Sequence, residues 1–161
     1  MRAWAFHSWP MSVQDGIEVY TGLGFSGDSG SPEMFTSDVS PDEPDSYFAS
    51  LDGLITSLEI AVTNVLPKES EEEHPSRARG FYCSCLRAFE EQLGAPIREQ
   101  ESRARRNAQW FLTNGTGVRL SGTNRTVTLF LESPEMAGIH QDDLRRGITD
   151  YSPANDPLLE G

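Results

Sequence analysis

The apolar residues between Asp45 and Pro67 recur at intervals of three and four, which is the strongest periodic signal in the chain. They are Tyr47, Phe48, Leu51, Leu54, Ile55, Leu58, Val62, Val65 and Leu66. This spacing predicts an amphipathic helix with Asp45 as its N-cap and Pro67 as its end.

The sequence predicts a second helix from Ser76 to Gly94, whose apolar stripe consists of Tyr82, Cys85, Leu86, Phe89 and Leu93.

The regions on either side of these helices have the features of β-strands. Asp15-Gly16 separates two apolar-alternating arms near the N-terminus, which is a strong hairpin signal and predicts an N-terminal β-meander. Near the C-terminus, turn residues separate the strand-like runs 110–112 and 125–132, which predicts a hairpin or a three-stranded meander. A short helix is expected to begin at Pro134 and to end near Gly147.

Residues 96–109 leave two alternatives open. They contain few apolar residues beyond Ile97, Ala104 and Ala108, so they form either a solvated helix or an extended arm, and we favour the helix.

The order of predicted elements lacks the regular βαβ alternation of a parallel sheet, and this decides the fold class. We predict a single α+β domain over residues 1–161, with a mostly antiparallel sheet packed against two main helices and one or two short ones. Its predicted irregular segments are a long acidic Ser/Pro/Gly loop at 26–44, an acidic interhelical loop at 67–75 and a surface tail at 148–161.

Composition places the chain among ordinary folded proteins. Hydrophobic residues make up 37% of it, which is enough for a core, and no apolar run is long enough to span a membrane. The N-terminus makes a poor signal peptide because His7, Ser8 and Pro10 interrupt its apolar stretch, so we expect a cytoplasmic location. Cys83 and Cys85 are predicted to be small buried hydrophobes, and we expect no metal and no cofactor.

The stretch GLGFSGDSGSP at residues 22–32 contains two short motifs. Gly22, Gly24 and Gly27 form the glycine pattern of dinucleotide-binding loops, but no helix is predicted to follow at once, as that site requires. Gly27-Asp28-Ser29-Gly30 resembles the nucleophile region of chymotrypsin-like proteases. In that family the serine comes after both of its catalytic partners, a histidine and a carboxylate, whereas His7 is the only histidine before Ser29 here. We interpret the stretch as a loop, although whether Ser29 approaches a His depends on the fold.

Charge is distributed very unevenly along the chain. Residues 1–75 contain fourteen acidic and two basic residues, whereas residues 76–161 contain eleven of each. This asymmetry argues against direct nucleic-acid binding by the first half, because phosphate binding needs Lys and Arg. It favours a basic protein partner, and the candidate partner-binding residues are Trp9, Asp38, Asp42, Glu43, Asp45, Glu69, Glu71, Glu72 and Glu73.

These observations lead to two function hypotheses. The first is a non-catalytic acidic binding protein that inhibits or neutralises a basic partner, such as an immunity protein acting on a toxin. The alternative is a structural or adaptor subunit of a larger assembly, with a small hydrolase as a third hypothesis. The acidic loops could also serve solubility alone.

Overall fold

The computed structural model describes residues 5–64, 74–102 and 105–147. These residues form one eight-stranded sheet in which all neighbouring strands are antiparallel, so the predicted α+β class is confirmed. The helices are α1 (Val13–Gly22), α2 (His74–Leu93) and α3 (Pro134–Arg145). The strands are β1 (Ser26–Gly27), β2 (Met34–Thr36), β3 (Ser46–Leu51), β4 (Leu54–Ala61), β5 (Arg98–Glu101), β6 (Arg105–Phe111), β7 (Gly117–Thr123) and β8 (Val127–Glu132).

The sheet is built from two halves with the same order of elements. The spatial order is β1-β2-β3-β4-β8-β7-β6-β5, so β4 and β8 pair at the centre. Helix α1 precedes the first four strands, and α2 precedes the last four. Because β4 and β8 are antiparallel, the two halves are related in their order of elements by an approximate twofold rotation about an axis perpendicular to the sheet.

One face of the sheet carries the hydrophobic core. Register places Phe48, Leu58, Leu131, Val118 and Trp110 in one row on this face, and all five are buried. Helices α1 and α2 cover it, which gives the chain one continuous core. We refer to it as the helix-covered face.

The two covering helices are held by aromatic residues. The ring of Tyr20 on α1 stacks on Phe35 with the centroids 4.1 Å apart. The Trp110 indole donates a hydrogen bond of 2.9 Å to the Gly94 carbonyl just after α2. Within the described residues, no helix combines the length and apolar character needed to cross a membrane.

The helix predicted over residues 45–66 is wrong. Residues 46–61 form the β3–β4 hairpin, whose turn is Asp52-Gly53 with φ values of 51° and 78°. Positive φ at both central residues is what a two-residue hairpin turn requires, and Asp-Gly supplies it readily. The element before residues 67–75 is therefore a strand, and those residues do not connect two helices.

The N-terminal hairpin predicted at Asp15-Gly16 is also wrong, because these residues lie in α1. Ser12 and Asp15 form a capping box, in which each side chain bonds the backbone N–H of the other. Gly16 is buried and lets α1 approach Ile55 closely. The dipeptide thus serves helix capping and packing rather than a turn.

Residues 98–101 and 105–109 lie in β5 and β6, so the helix favoured for residues 96–109 is wrong and the described part of this range is extended. Their polar residues fit an edge strand, because charged side chains on β5 protect an unpaired edge. The loop predicted at 26–44 contains the short strands β1 and β2.

The remaining predicted segments either agree with the structure or lie outside the residues that it describes. The second helix, the C-terminal meander of β6, β7 and β8, and the short helix after Pro134 are confirmed. Residues 65–73 and the tail at 148–161 lie outside the described residues, and His74 and Pro75 begin α2.

Candidate functional site

The two halves of the sheet differ in charge, and this is the strongest surface feature of the molecule. Residues 5–64, which form α1 and β1 to β4, contain ten carboxylates and no Lys or Arg. We refer to them as the acidic half. The described residues from 74 onward contain eight carboxylates and ten Arg side chains. The sheet therefore presents a strongly negative half beside a half whose acidic and basic residues nearly balance.

The loop between β2 and β3 contains four of the predicted partner-binding residues. Asp45 accepts hydrogen bonds from the hydroxyls of Ser37 (2.5 Å) and Ser46 (3.0 Å), so its carboxylate organises the loop. Asp38, Asp42 and Glu43 are exposed. The loop consequently presents three carboxylates to solvent and uses the fourth to hold its own shape.

The other predicted binding residues do not share this location. Trp9 lies at the opposite end of the sheet, half-buried, where its indole donates a 2.9 Å hydrogen bond to the Thr116 hydroxyl. Glu69, Glu71, Glu72 and Glu73 lie outside the described residues. Among the candidates that the structure describes, it therefore brings together those of the β2–β3 loop and leaves Trp9 apart from them.

The second face of the sheet carries a cluster that sequence reasoning missed. The Arg119 guanidinium lies 3.9 Å from the centroid of the Phe130 ring, in a cation–π contact. Glu59 is the partner of Phe130 on β4, and the Tyr47 hydroxyl donates a hydrogen bond to the Glu59 carboxylate. Helix α3 covers one end of this face through Ala137, which lies against Gly117. We refer to the remainder, which no described helix covers, as the open face.

Electrostatics on the open face follow from this arrangement. The hydrogen bond to Glu59 is the main reason that the pKa of Tyr47 rises to about 12, with burial adding to it. Burial lowers the pKa of Arg119, although Glu132 and Glu59 oppose that shift. One feature of the sequence could have revealed this cluster. Phe130 is an aromatic residue on the opposite face of β8 from Val127, Leu129 and Leu131.

The two short motifs in residues 22–32 lie in the wrong structural context for their chemistry. The glycines follow helix α1 and lead into strand β1, the reverse of the strand-then-helix order of a dinucleotide site. Ser29 is exposed. The His7 ring forms a hydrogen bond with the Ser8 carbonyl, and the His140 ring forms one with the Glu132 carboxylate. Within the described residues, neither ring hydrogen-bonds a serine hydroxyl.

The cysteines form no disulfide and no metal site in the described part of the chain. Cys83 and Cys85 are free and half-buried, and both pack against the core from α2. No group of three or more His, Cys, Asp or Glu residues is arranged to hold a metal ion there.

The fold and surface define an α+β protein whose antiparallel sheet has one strongly acidic half and one half of nearly balanced charge. The chain belongs to a family of unknown function, DUF6301, whose model matches residues 1–133. The match covers α1 through β8 and ends just before α3. Neither a curated protein nor a solved structure matches the chain.

Proposed function

We propose that the protein is a non-catalytic binding protein whose acidic half docks a basic protein and inhibits or neutralises it. The observation that carries the proposal is the presence of ten carboxylates and no Lys or Arg in residues 5–64. A field of one sign over contiguous elements accelerates encounter with a partner of opposite sign and disfavours acidic partners.

The β2–β3 loop is the proposed centre of this interface. Asp45 fixes the loop through Ser37 and Ser46, so Asp42 and Glu43 sit on an ordered support. An ordered loop loses less conformational entropy on binding than one that must first become ordered. The other half of the sheet lacks this excess of carboxylates, so an incoming basic protein is attracted mainly to the acidic half.

Affinity capture from host lysate, with the full chain immobilised, tests the proposal. The acidic-half variant combines Glu33→Gln, Asp42→Asn and Glu43→Gln, all at exposed positions. The control combines Glu91→Gln, Glu99→Gln and Glu135→Gln, which are exposed positions in the other half with the same change in charge. Asp38 is kept because it also lines a cavity beside α2.

We expect wild type and the control to retain a basic protein in stoichiometric amount, and the acidic-half variant to lose most of it. High salt should release that protein, because exposed charges are screened beyond about 10 Å at 0.1 M ionic strength. Adding the chain back should reduce the activity of the captured protein. Equal retention by both variants, or retention that salt does not change, would contradict the proposal.

The second candidate function is a structural or adaptor subunit, and the β3–β4 hairpin favours it. Leu51 and Leu54 flank its turn with 67% and 44% of their surfaces exposed. Exposed apolar side chains on one hairpin suit burial in an assembly. If this function holds, Leu51→Ser should abolish co-purification with the assembly, whereas the charge variants should not.

A further inference from the structure

Tyr47 and Glu59 form a pair on the acidic half of the open face. They lie directly opposite each other on β3 and β4, and the Tyr47 hydroxyl donates a hydrogen bond to the Glu59 carboxylate. An ionised carboxylate offers about four acceptor positions, and this hydrogen bond uses one of them. Tyr47 is 41% exposed. The pair therefore presents an aromatic ring beside a carboxylate that can accept further hydrogen bonds.

Small side chains border this pair along the strands. Side chains alternate between the two faces of a sheet, so the next residues on the open face are two positions away. They are Ala49 on β3 and Ser57 and Ala61 on β4, and none of the three is long enough to lie across the Tyr47 ring. Met34 on β2, opposite Tyr47, adds apolar surface on which the methylene groups of a long side chain can pack.

A guanidinium group already lies on an aromatic ring in another part of the open face, where Arg119 lies over Phe130. Glu132 and Glu59 oppose the lowering of the Arg119 pKa by burial. An aromatic face with a neighbouring carboxylate is thus the setting in which this surface holds a cation. Tyr47 has the same setting but lies three strands from Arg119, about 14 Å at the usual strand spacing. The acidic half contains no Lys or Arg that could occupy it.

The arrangement of ring and carboxylate favours arginine over lysine as the cation. A guanidinium group is planar, so it can stack on a ring while its edge donates hydrogen bonds to a carboxylate. A lysine ammonium group is a compact point charge and makes no such paired contact. Arginine is also more often the cation in contacts with aromatic rings.

We propose that Tyr47 and Glu59 bind an arginine side chain of the basic protein partner. Its guanidinium group stacks on the Tyr47 ring and donates hydrogen bonds to the Glu59 carboxylate, and its methylene groups pack on Met34. This inference rests on the proposed function and deepens it, because it names the side chain that the partner presents and adds a contact outside the β2–β3 loop.

The test is a titration of the full chain with N-acetyl-L-arginine amide at constant ionic strength, with ¹³C in the tyrosine rings and ¹⁵N in the backbone. N-acetyl-L-citrulline amide is the matched ligand, because a neutral urea replaces its guanidinium group. We expect the Tyr47 ring resonances, identified by their loss in Tyr47→Leu, to shift with a Kd on the order of 10 mM, as suits one exposed contact. The citrulline ligand should bind about fivefold more weakly, because it lacks the positive charge. N-acetyl-L-lysine amide should also bind more weakly than the arginine ligand.

Two variants locate the site, and a third is the control. Glu59→Gln should weaken arginine binding about fivefold and remove the preference over citrulline. Tyr47→Leu should abolish the shift of the Glu59 backbone amide on addition of the arginine ligand. Glu18→Gln removes an exposed carboxylate of the acidic half from α1, which covers the other face of the sheet, and should leave arginine binding unchanged.

Three outcomes would overturn the arginine site: Tyr47 ring resonances that do not respond, equal binding of the arginine and citrulline ligands, or equal binding of the arginine and lysine ligands. None of them bears on capture of a basic protein, which the β2–β3 loop can mediate alone. Failure to capture a basic protein, with arginine binding as expected, would instead contradict the proposed function and leave the arginine site in place.

Discussion

Gly122 of β7 lies directly beneath the ring of Tyr82 on α2. A Cβ atom built on Gly122 would come within 2.6 Å of Tyr82 Cδ2 and 3.3 Å of Tyr82 Cβ. Tyr82 is 5% exposed, so its ring has little room to move aside. The absence of a side chain at Gly122 therefore sets how closely α2 approaches the sheet.

Gly122→Ala should destabilise the protein by about 1–3 kcal/mol, because the added methyl group overpacks the α2–β7 contact. Urea denaturation measures the change in the free energy of unfolding. Gly80→Ala is the control on α2, where an added Cβ atom would have no neighbour within 4 Å. This control should stabilise the protein by about 0.5–1 kcal/mol, since alanine favours a helix interior. A neutral Gly122→Ala would show that α2 can shift without cost.

Thr116→Val should loosen residues 5–11 from the sheet. The Thr116 hydroxyl is buried and accepts the Trp9 indole hydrogen bond, so valine leaves that donor without its partner. We expect a loss of about 1 kcal/mol in the free energy of unfolding. Thr113→Val, at an exposed position of the same turn, should change it by less than about 0.5 kcal/mol. A shift of the Trp9 indole N–H resonance in Thr116→Val alone would locate the effect.

Tyrosine ionisation should limit stability at alkaline pH. Burial raises the pKa of Tyr82 to about 12, and the Glu59 hydrogen bond raises that of Tyr47 to about 12, from an ordinary value of 10.0. Between pH 10 and about pH 12, these two tyrosines keep their protons in the folded chain but lose them in the unfolded chain. Their contribution to the free energy of unfolding is therefore full below pH 10 and declines as the pH rises toward 12.

Tyrosinate absorbance during a pH titration, with denaturation measured at each pH, checks this prediction. Glu59→Gln should lower the pKa of Tyr47 toward its ordinary value and leave that of Tyr82 unchanged, because Glu59 contacts only the former of these two phenols. A single titration near pH 10 for all tyrosines of the folded protein would contradict it.

The contact between Arg119 and Phe130 should be measurable as a coupling energy. A double-mutant cycle with Arg119→Met and Phe130→Leu should give about 0.5–1 kcal/mol, as expected for a cation over an aromatic face. A control cycle pairs Phe130→Leu with Arg87→Met on α2, which covers the other face of the sheet. It should be additive within about 0.3–0.5 kcal/mol. Equal coupling in both cycles would show that the effect is not specific to the contact.

Sequence alone determined the parts of the fold in which a local pattern and burial agree. The stripe of α2 includes Tyr82 and Phe89, which are buried, and Val127, Leu129 and Leu131 share the buried face of β8 as their alternation predicts. The charge asymmetry was also readable, because each half of the sheet is built from one continuous stretch of chain.

Tertiary structure decided the rest, and the two Asp-Gly dipeptides show why. Asp15-Gly16 and Asp52-Gly53 carry the same local signal, but Gly16 lies in a helix against Ile55, whereas Asp52 and Gly53 adopt positive φ in a hairpin turn. The residues around the second pair fit a helical period only if Tyr47, Leu51 and Leu54 are counted as buried, and all three are exposed. Which apolar residues are buried depends on the partner that covers them, and neither that partner nor the cavity beside α2 is encoded in local spacing.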